Sequence, residues 1–360
     1  MSSKGDSYHL SETCVLYESS DRSIVIIDIP RSIEEAQLPP NQIPKKRIVS
    51  CSPVETPWKI PEPKKGLGQS TTPSASIAEL MTQEVVRSAL EKAKRDYKGS
   101  WCLPRIVKNA GKFCDDNELY IKESQKRKRT SDEPAGVVPE CLIPDQSHHL
   151  LGTIESQRGT FIADAPMFDL VVLDPPWPSR SVKRKHNSYT IAYNIQEIRH
   201  LLTQIPIASH LKADGIVAVW VTNKAAVTDL LTSPHGIFSE WGLELVGEWT
   251  WLKITSFGDP VIDLESQWRK PWERLLLCRK RDSTVKAPIP SKVILGVPDI
   301  HSRKPNLRPL FQNILPENYT ALEVFARNLT AGWWSWGSEV LYFQQGHHWV
   351  DIEDDEPTGA

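Results

Sequence analysis

The chain has 360 residues, enough for one large domain and a smaller one, and 39% of them are hydrophobic. Its 43 Lys and Arg against 45 Asp and Glu leave a formal net charge of −2, so no global field draws nucleic acid and any such attraction must be local. Six scattered cysteines without a CxxC pair argue against a disulfide framework and a metal centre, and no segment reaches the ~18 apolar residues of a membrane span.

Residues 1–75 hold one convincing strand, Ser23–Ile29, followed by a Pro-, Ser- and Lys-rich stretch from Pro39 to Pro73 that reads as linker or disorder. From Ser76 to Lys94, apolar Ile77, Leu80, Met81, Val85, Val86 and Leu90 recur among charged residues with the spacing of an amphipathic helix. This helix opens an accessory region, residues 76–140, whose Trp101–Tyr120 portion is expected to pack on the larger domain. The run Gln125-Lys126-Arg127-Lys128-Arg129-Thr130 reads as a solvated loop, a nuclear import signal or a nucleic-acid contact, and Pro44-Lys45-Lys46-Arg47 is a second candidate. With no apolar leader at the N-terminus, the expectation is a soluble, intracellular protein with reduced thiols, placed in the nucleus by the basic run.

Residues 141–349 carry the main domain, since eleven of the 13 tryptophans lie at or after Trp177. Strands are expected at Phe168–Leu173, Gly215–Val221, Leu243–Ile254, Glu273–Cys278 and Ala321–Phe325. Helices are expected at Ile195–His210, Lys224–Leu231 and Pro309–Leu315. The alternation implies an α/β fold with a doubly wound sheet, and the long Trp-bearing strand from Leu243 suggests an antiparallel pair at one edge. Residues 350–360 read as an acidic, disordered tail.

The chemistry concentrates at Asp174-Pro175-Pro176-Trp177, which ends the apolar run Phe168–Leu173. A short aliphatic run suits a strand buried on both faces, and two prolines cannot continue its ladder. A carboxylate, a proline carbonyl without a ladder partner and an aromatic ring therefore stand at the carboxyl end of a strand, where open α/β sheets bind ligands. An exocyclic amine on a nucleobase is a poor nucleophile because its lone pair is delocalised into the ring. Asp174 and the Pro175 carbonyl can accept its two hydrogens, Pro176 can hold the base plane, and Trp177 can stack on the base. Lys183, Arg184 and Lys185, followed by Asn187 and Tyr189, form a basic loop beside this strand end, suited to phosphates and base stacking. Trp251 and Lys253 are expected to line the same pocket, with Trp249 in the core.

The chain resembles the DPPW-type adenine-N6 methyltransferases, the family of the eukaryotic messenger-RNA adenosine methyltransferase, and within it the subfamily called methyltransferase-like protein four. The resemblance rests on Phe168–Trp177, Ser181–Arg184, Trp220–Asn223, Glu248–Thr255, Lys270–Glu273, His301–Pro305, Leu322–Asn328, Gly332-Trp333 and Ser335–Gly337, in order over about half the chain. It implies a Rossmann-like methyltransferase sheet in permuted motif order, with the catalytic motif ahead of the cofactor motif, and S-adenosylmethionine as cofactor. By resemblance, Asp174 borders both ligands, Lys304 meets the cofactor carboxylate, Arg327 and Asn328 lie near its ribose, and Ile162 and Asp164 border its adenine. Ser338 and Glu339 match further ribose contacts, but Ser338 departs from the Asn of both relatives. The resemblance implies an internal 2′-O-methyladenosine of small nuclear RNA as substrate and no metal. DNA adenine, or a non-catalytic role as a nucleic-acid-binding subunit, stays open, as does the oligomeric state, whether a monomer or a chain with a protein partner.

Overall fold

The computed structural model describes residues 13–59, 73–107, 140–178, 194–266 and 269–352. The N-terminal part is more ordered than its composition suggests. Strands β1 (Val15–Glu18) and β2 (Ile24–Ile27) form an antiparallel pair, and helix α1 (Ile29–Ala36) follows at once. Asp28 caps α1 by accepting from the Arg31 amide at 2.9 Å, and Pro30 sits in the first turn where its missing N–H costs nothing. Strand β3 (Lys46–Ile48) lies within the stretch expected as linker. Helix α2 (Pro73–Asp96) forms where expected, but of the expected apolar face only Val86 and Leu90 are buried, together with Ala89 and Ala93, while Ile77, Leu80, Met81 and Val85 are exposed.

The central elements run β4 (His148–Leu151), α3 (Ile154–Asp164), β5 (Phe168–Leu173), α4 (Ile195–Thr203), α5 (Ile207–His210) and β6 (Leu211–Val221). The helix expected over Ile195–His210 is broken, because Pro206 cannot donate within it. Then come α6 (Ala225–Thr232), α7 (Ile237–Glu240), β7 (Leu243–Lys253), β8 (Trp272–Lys280), β9 (Lys292–Gly296), the single turn α8 (Arg308–Phe311), β10 (Ala321–Val324), β11 (Trp334–Gly337) and β12 (Trp349–Asp351).

Ten strands form one sheet in the order β1-β2-β9-β7-β8-β6-β5-β10-β11-β4, while β12 pairs antiparallel with β3. Among the described residues, six of the nine neighbouring pairs are parallel, so the fold is mixed α/β around a mostly parallel sheet. The β7–β8 pair is antiparallel as expected but lies inside the sheet, because β9, β2 and β1 extend it. Along β5, Val171 and Leu173 enter one core with Phe161, Val217 and Trp336. Leu170 and Val172 enter the other core with Trp220, Trp249 and Phe311. Full burial of each such aliphatic side chain contributes roughly 1.5–3 kcal/mol, which fixes the register and hence where Asp174 emerges.

The N-terminal segment braces the connection from β9 to α8. Asn306 donates its amide to Ser32 Oγ at 3.0 Å, Arg308 Nη1 donates to Leu38 O at 2.7 Å, and Arg303 Nη1 donates to Val49 O at 3.0 Å. Arg105 donates to the carbonyls of Val297 and Pro298, both at 2.9 Å. Asp299 is buried, which opposes its ionisation, yet Arg303 and Arg105 outweigh that penalty and hold its carboxyl below the usual range. Within the basic run at 44–47, Lys46 pairs with Asp351 and Arg47 with Glu34, so these two cations are structural. Asp351, expected in a loose tail, is the last residue of β12. The run at 125–130 lies outside the described residues.

Candidate active site

Asp174 leaves the sheet directly after β5, its amide donating to Val324 O at 3.4 Å. The Pro175 carbonyl is not fully free, since the Trp177 amide donates to it at 2.8 Å, and one lone pair remains for a ligand. Trp177 differs from expectation. Its ring is 9% exposed, packed in the core beneath the cleft, and its indole N–H donates to Trp220 O at 2.8 Å. A buried indole seeks a partner for its N–H, and here that partner lies inward. Trp177 therefore anchors the turn instead of offering a stacking face. Lys224 holds the far end by donating to the Pro178 carbonyl.

Two cavities flank this turn. The first, about 500 Å³ of open space, is walled by Thr153 and Ile154 at the start of α3, by Pro176 and Phe325, and by Arg327, Ser338 and Glu339. Arg327 Nε lies 3.2 Å from Glu339 Oε2. Gly337 is required here, because a Cβ would sit 2.7 Å from Ala326 O and push the two walls apart. Phe325 adopts φ 63°, a left-handed conformation that costs a bulky residue of order 1–3 kcal/mol and is typical of ligand sites. The second, a small cavity of about 20 Å³, lies against the opposite face of the sheet and is lined by Trp220, Lys304, Asn306, Glu323 and Asn328.

Between the cavities runs a chain of alternating charges. Lys304 Nζ is 2.9 Å from Asp174 Oδ2 and 3.2 Å from Glu273 Oε2, while Lys253 Nζ is 2.6 Å from Glu273 Oε1. Burial raises the Glu273 carboxyl, but Lys253 and Lys304 outweigh it and hold the group at about 2. Burial lowers Lys304, and Asp174 and Glu273 more than reverse this, raising it above an ordinary lysine. Glu323 behaves oppositely. Burial first and the Asp174 charge second push its carboxyl up to about 8, with Lys304 offsetting only part. His301, on the same rim, is lowered by burial and then by Arg327, Lys253 and Lys304.

The structure thus places Pro176, Arg327, Ser338 and Glu339 around the first cavity and Lys304 and Asn328 around the second, with the Asp174–Lys304 pair between them. Ile162 and Asp164 sit elsewhere, toward the far end of α3. At 1.5 Å per residue they are ~12–15 Å along the helix from Ile154, and Ile162 is 45% exposed. Thr153 and Ile154, at the start of that helix, line the first cavity instead. Trp251 is 2% exposed, edge-on to Trp220 at 6.1 Å, and packs rather than lines an open wall. Lys253 spends its charge on Glu273 and lies 4.8 Å from the Trp251 ring. Lys183, Arg184, Lys185, Asn187 and Tyr189 lie outside the described residues. Glu273 and Glu323 lie in the matching blocks Lys270–Glu273 and Leu322–Asn328 without a role of their own assigned to either, and each is a carboxylate within a largely apolar strand.

Residues 168–339 match the MT-A70 family. Over 345 residues the chain is 46% identical to the N6-methyladenosine RNA methyltransferase MTA1 of Cryphonectria parasitica, with 94% of each protein covered. It is 36% identical over 223 residues to the N(6)-adenine-specific methyltransferase METTL4 of Mus musculus, covering 59% of this chain and 45% of that protein. Identity to the DNA N6-methyl methyltransferase of Caenorhabditis elegans is 36% over 208 residues, or 57% of this chain and 54% of that one. With a carboxylate poised at the strand end and identity sustained along nearly its whole length, this chain belongs to the MT-A70 family, as an adenine-N6 methyltransferase.

Proposed function

We propose that this chain methylates the N6 amine of adenosine in RNA, with S-adenosylmethionine as cofactor. The observation that carries the reading is Asp174, a carboxylate held at an open strand end between an open cleft and a small cavity lined by Lys304. One Asp174 oxygen and the spare lone pair of Pro175 O accept the amine hydrogens and aim its lone pair, while Pro176 limits where the base plane can lie. Trp177, locked to Trp220 O, keeps these acceptors from drifting. Orientation of this kind is worth up to ~7–11 kcal/mol of barrier.

The donor set fits the cofactor. Lys304 offers a cation to its carboxylate, and Arg327, Asn328, Ser338 and Glu339 offer polar groups to its ribose hydroxyls. Thr153 and Ile154 would border its adenine in place of Ile162 and Asp164. When bound, S-adenosylmethionine supplies an electrophilic methyl group on a sulfonium. In this reading the loop after β10 is the cofactor motif and follows the catalytic strand in sequence, which is the permuted order.

RNA is favoured over DNA because a relative named for RNA shares 46% identity across 94% of the chain, against 36% across 57% for the relative named for DNA. The narrower reading is an internal 2′-O-methyladenosine of small nuclear RNA, methylated in the nucleus by a single chain. The bracing of the Lys304 connection by residues of the N-terminal segment supports action without a partner subunit. The test is incubation of the full chain with S-adenosylmethionine carrying a deuterated methyl group and with small nuclear RNA, messenger RNA or DNA, followed by nucleoside mass spectrometry. Label in N6,2′-O-dimethyladenosine supports the narrow reading, and label in N6-methyladenosine supports RNA alone. Label confined to N6-methyldeoxyadenosine, or found nowhere, overturns the proposal.

A further inference from the structure

Asp174 is only partly free to meet an amine. Its Oδ2 already holds the Lys304 ammonium at 2.9 Å, which draws negative charge away from the acceptor the reaction needs. Lys304 has a second carboxylate within reach, Glu273 at 3.2 Å. Glu273 cannot follow Lys304 if it moves, because its other oxygen is fixed by Lys253 at 2.6 Å. The strand start that carries Glu273 is held as well: Asn223 Nδ2 donates to Trp272 O at 2.6 Å, and Lys253 N donates to Pro271 O at 2.8 Å. The backbone around Lys304 is pinned on both sides, by Arg303 to Val49 O and by Asn306 to Ser32. Any displacement of the ammonium is therefore a swing of the Lys304 side chain, with Glu273 as the fixed point.

We propose that Glu273 is a positioning residue on which Lys304 pivots, so that cofactor loading releases Asp174 and adenine is captured only afterwards. The inference rests on the methylation reading above and adds an order of binding to it. A cofactor carboxylate arriving at Lys304 competes with Asp174 for the ammonium. Glu273 keeps the cation in the site during the exchange, and Lys253 keeps Glu273 from being drawn along. Glu323, beside Asp174, is held largely protonated and so places no second full negative charge next to it. Because coupling between two ligands is reciprocal, the cofactor and the adenine amine should each tighten the other.

The test uses the full chain, S-adenosylhomocysteine to fill the cofactor site without turnover, and a twelve-nucleotide oligoadenylate read by fluorescence anisotropy. A matched strand of purine riboside, which lacks the 6-amino group, separates the amine contact from phosphate binding. In the wild type, S-adenosylhomocysteine should tighten oligoadenylate binding about tenfold and leave the purine strand unchanged. Lys304→Met should bind oligoadenylate equally well with and without it. Glu273→Gln, and independently Lys253→Met, should cut the gain to about threefold or less while the melting temperature shows the protein folded. No gain in the wild type, an equal gain on the purine strand, or a full gain in both pivot variants overturns the proposal. Formation of N6-methyladenosine in total RNA by the wild-type chain is measured alongside. Product without coupling sinks the pivot and spares the methylation reading, whereas absence of product sinks that reading itself.

Discussion

Asp174→Ala should separate activity from stability more cleanly than any other single change. The carboxylate is paired with Lys304 at 2.9 Å, with side-chain exposures of 28% and 18%. Breaking a fully buried pair costs ~3–5 kcal/mol because a charge is orphaned. Here Lys304 keeps Glu273 at 3.2 Å and both partners touch solvent, so the expected cost to folding is only about 1 kcal/mol. Activity should fall much further. A hydrogen bond to a charged acceptor is worth ~1.5–3 kcal/mol, or roughly 10–150-fold in rate, before the loss of amine orientation is added. Together these put the loss in kcat/KM beyond about a thousandfold. Asp174→Asn should lie between, since its amide oxygen can still accept one hydrogen. Initial rates of methyl transfer to RNA, thermal melts and calorimetric titration with S-adenosylhomocysteine measure the three quantities. A folded Asp174→Ala protein with kcat/KM within about tenfold of wild type refutes the assignment of the amine acceptor.

Trp177→Phe removes the donor to the buried Trp220 carbonyl and should cost ~1–3 kcal/mol in urea unfolding, with only a secondary effect on the KM for RNA. A large KM effect at unchanged stability would instead restore a stacking role. The Glu323 carboxyl is raised in the folded state, so folding favours its protonated form, and stability should fall as pH rises from the unfolded value near 4.5 through about 8. Glu323→Gln should flatten that slope in melts between pH 5 and pH 8.5, and an unchanged slope would remove Glu323 as its source. Lys183, Arg184 and Lys185 replaced together by Ala should raise the KM for RNA. The log–log salt slope should fall by about 0.7 for each lost phosphate contact, with unaltered affinity for S-adenosylhomocysteine. An unaltered slope would mean these cations touch no phosphate.

The legible parts of the fold were those whose cause is local. Phe168–Leu173 is apolar on both faces and stopped by prolines, and it forms β5 with the expected bounds. Helix α2 forms where its 3.6-residue apolar spacing put it, although Ile77, Leu80, Met81 and Val85 stay exposed. Where a single residue overrides a continuing pattern the reading slipped, as at Pro206, which divides α4 from α5 although apolar periodicity runs through it. The stretch from Pro39 to Trp58 was opaque for a different reason. Its partners are about 250–300 residues away: the Cys51 amide reaches Asp299 at 3.0 Å, and Val49 reaches His348 O at 2.7 Å. Order imposed by such contacts leaves no periodicity behind, and a proline-rich segment held this way is indistinguishable in sequence from a linker.

The site shows the same division. Asp174 stands out because a carboxylate follows a strand stopped by prolines, whereas Lys304, Arg327 and Asn328 were legible only through the family resemblance. Trp177 was misplaced because composition does not tell which way an indole turns; only the position of the Trp220 carbonyl decides that. Glu273 and Glu323 are the instructive omissions, since a carboxylate inside a buried strand has two ways to exist there. It can stay ionised with cations supplied, or it can give up its charge. Glu273 takes the first course, with Lys253 and Lys304 on its two oxygens and its carboxyl held at about 2. Glu323 faces only the shared Lys304 and the repulsion of Asp174, and takes the second, at about 8. One lysine thus serves three carboxylates, and a ligand anion that claims it changes the electrostatics of all three. That is why the charge chain, more than any single residue in it, should set how this site answers to its cofactor.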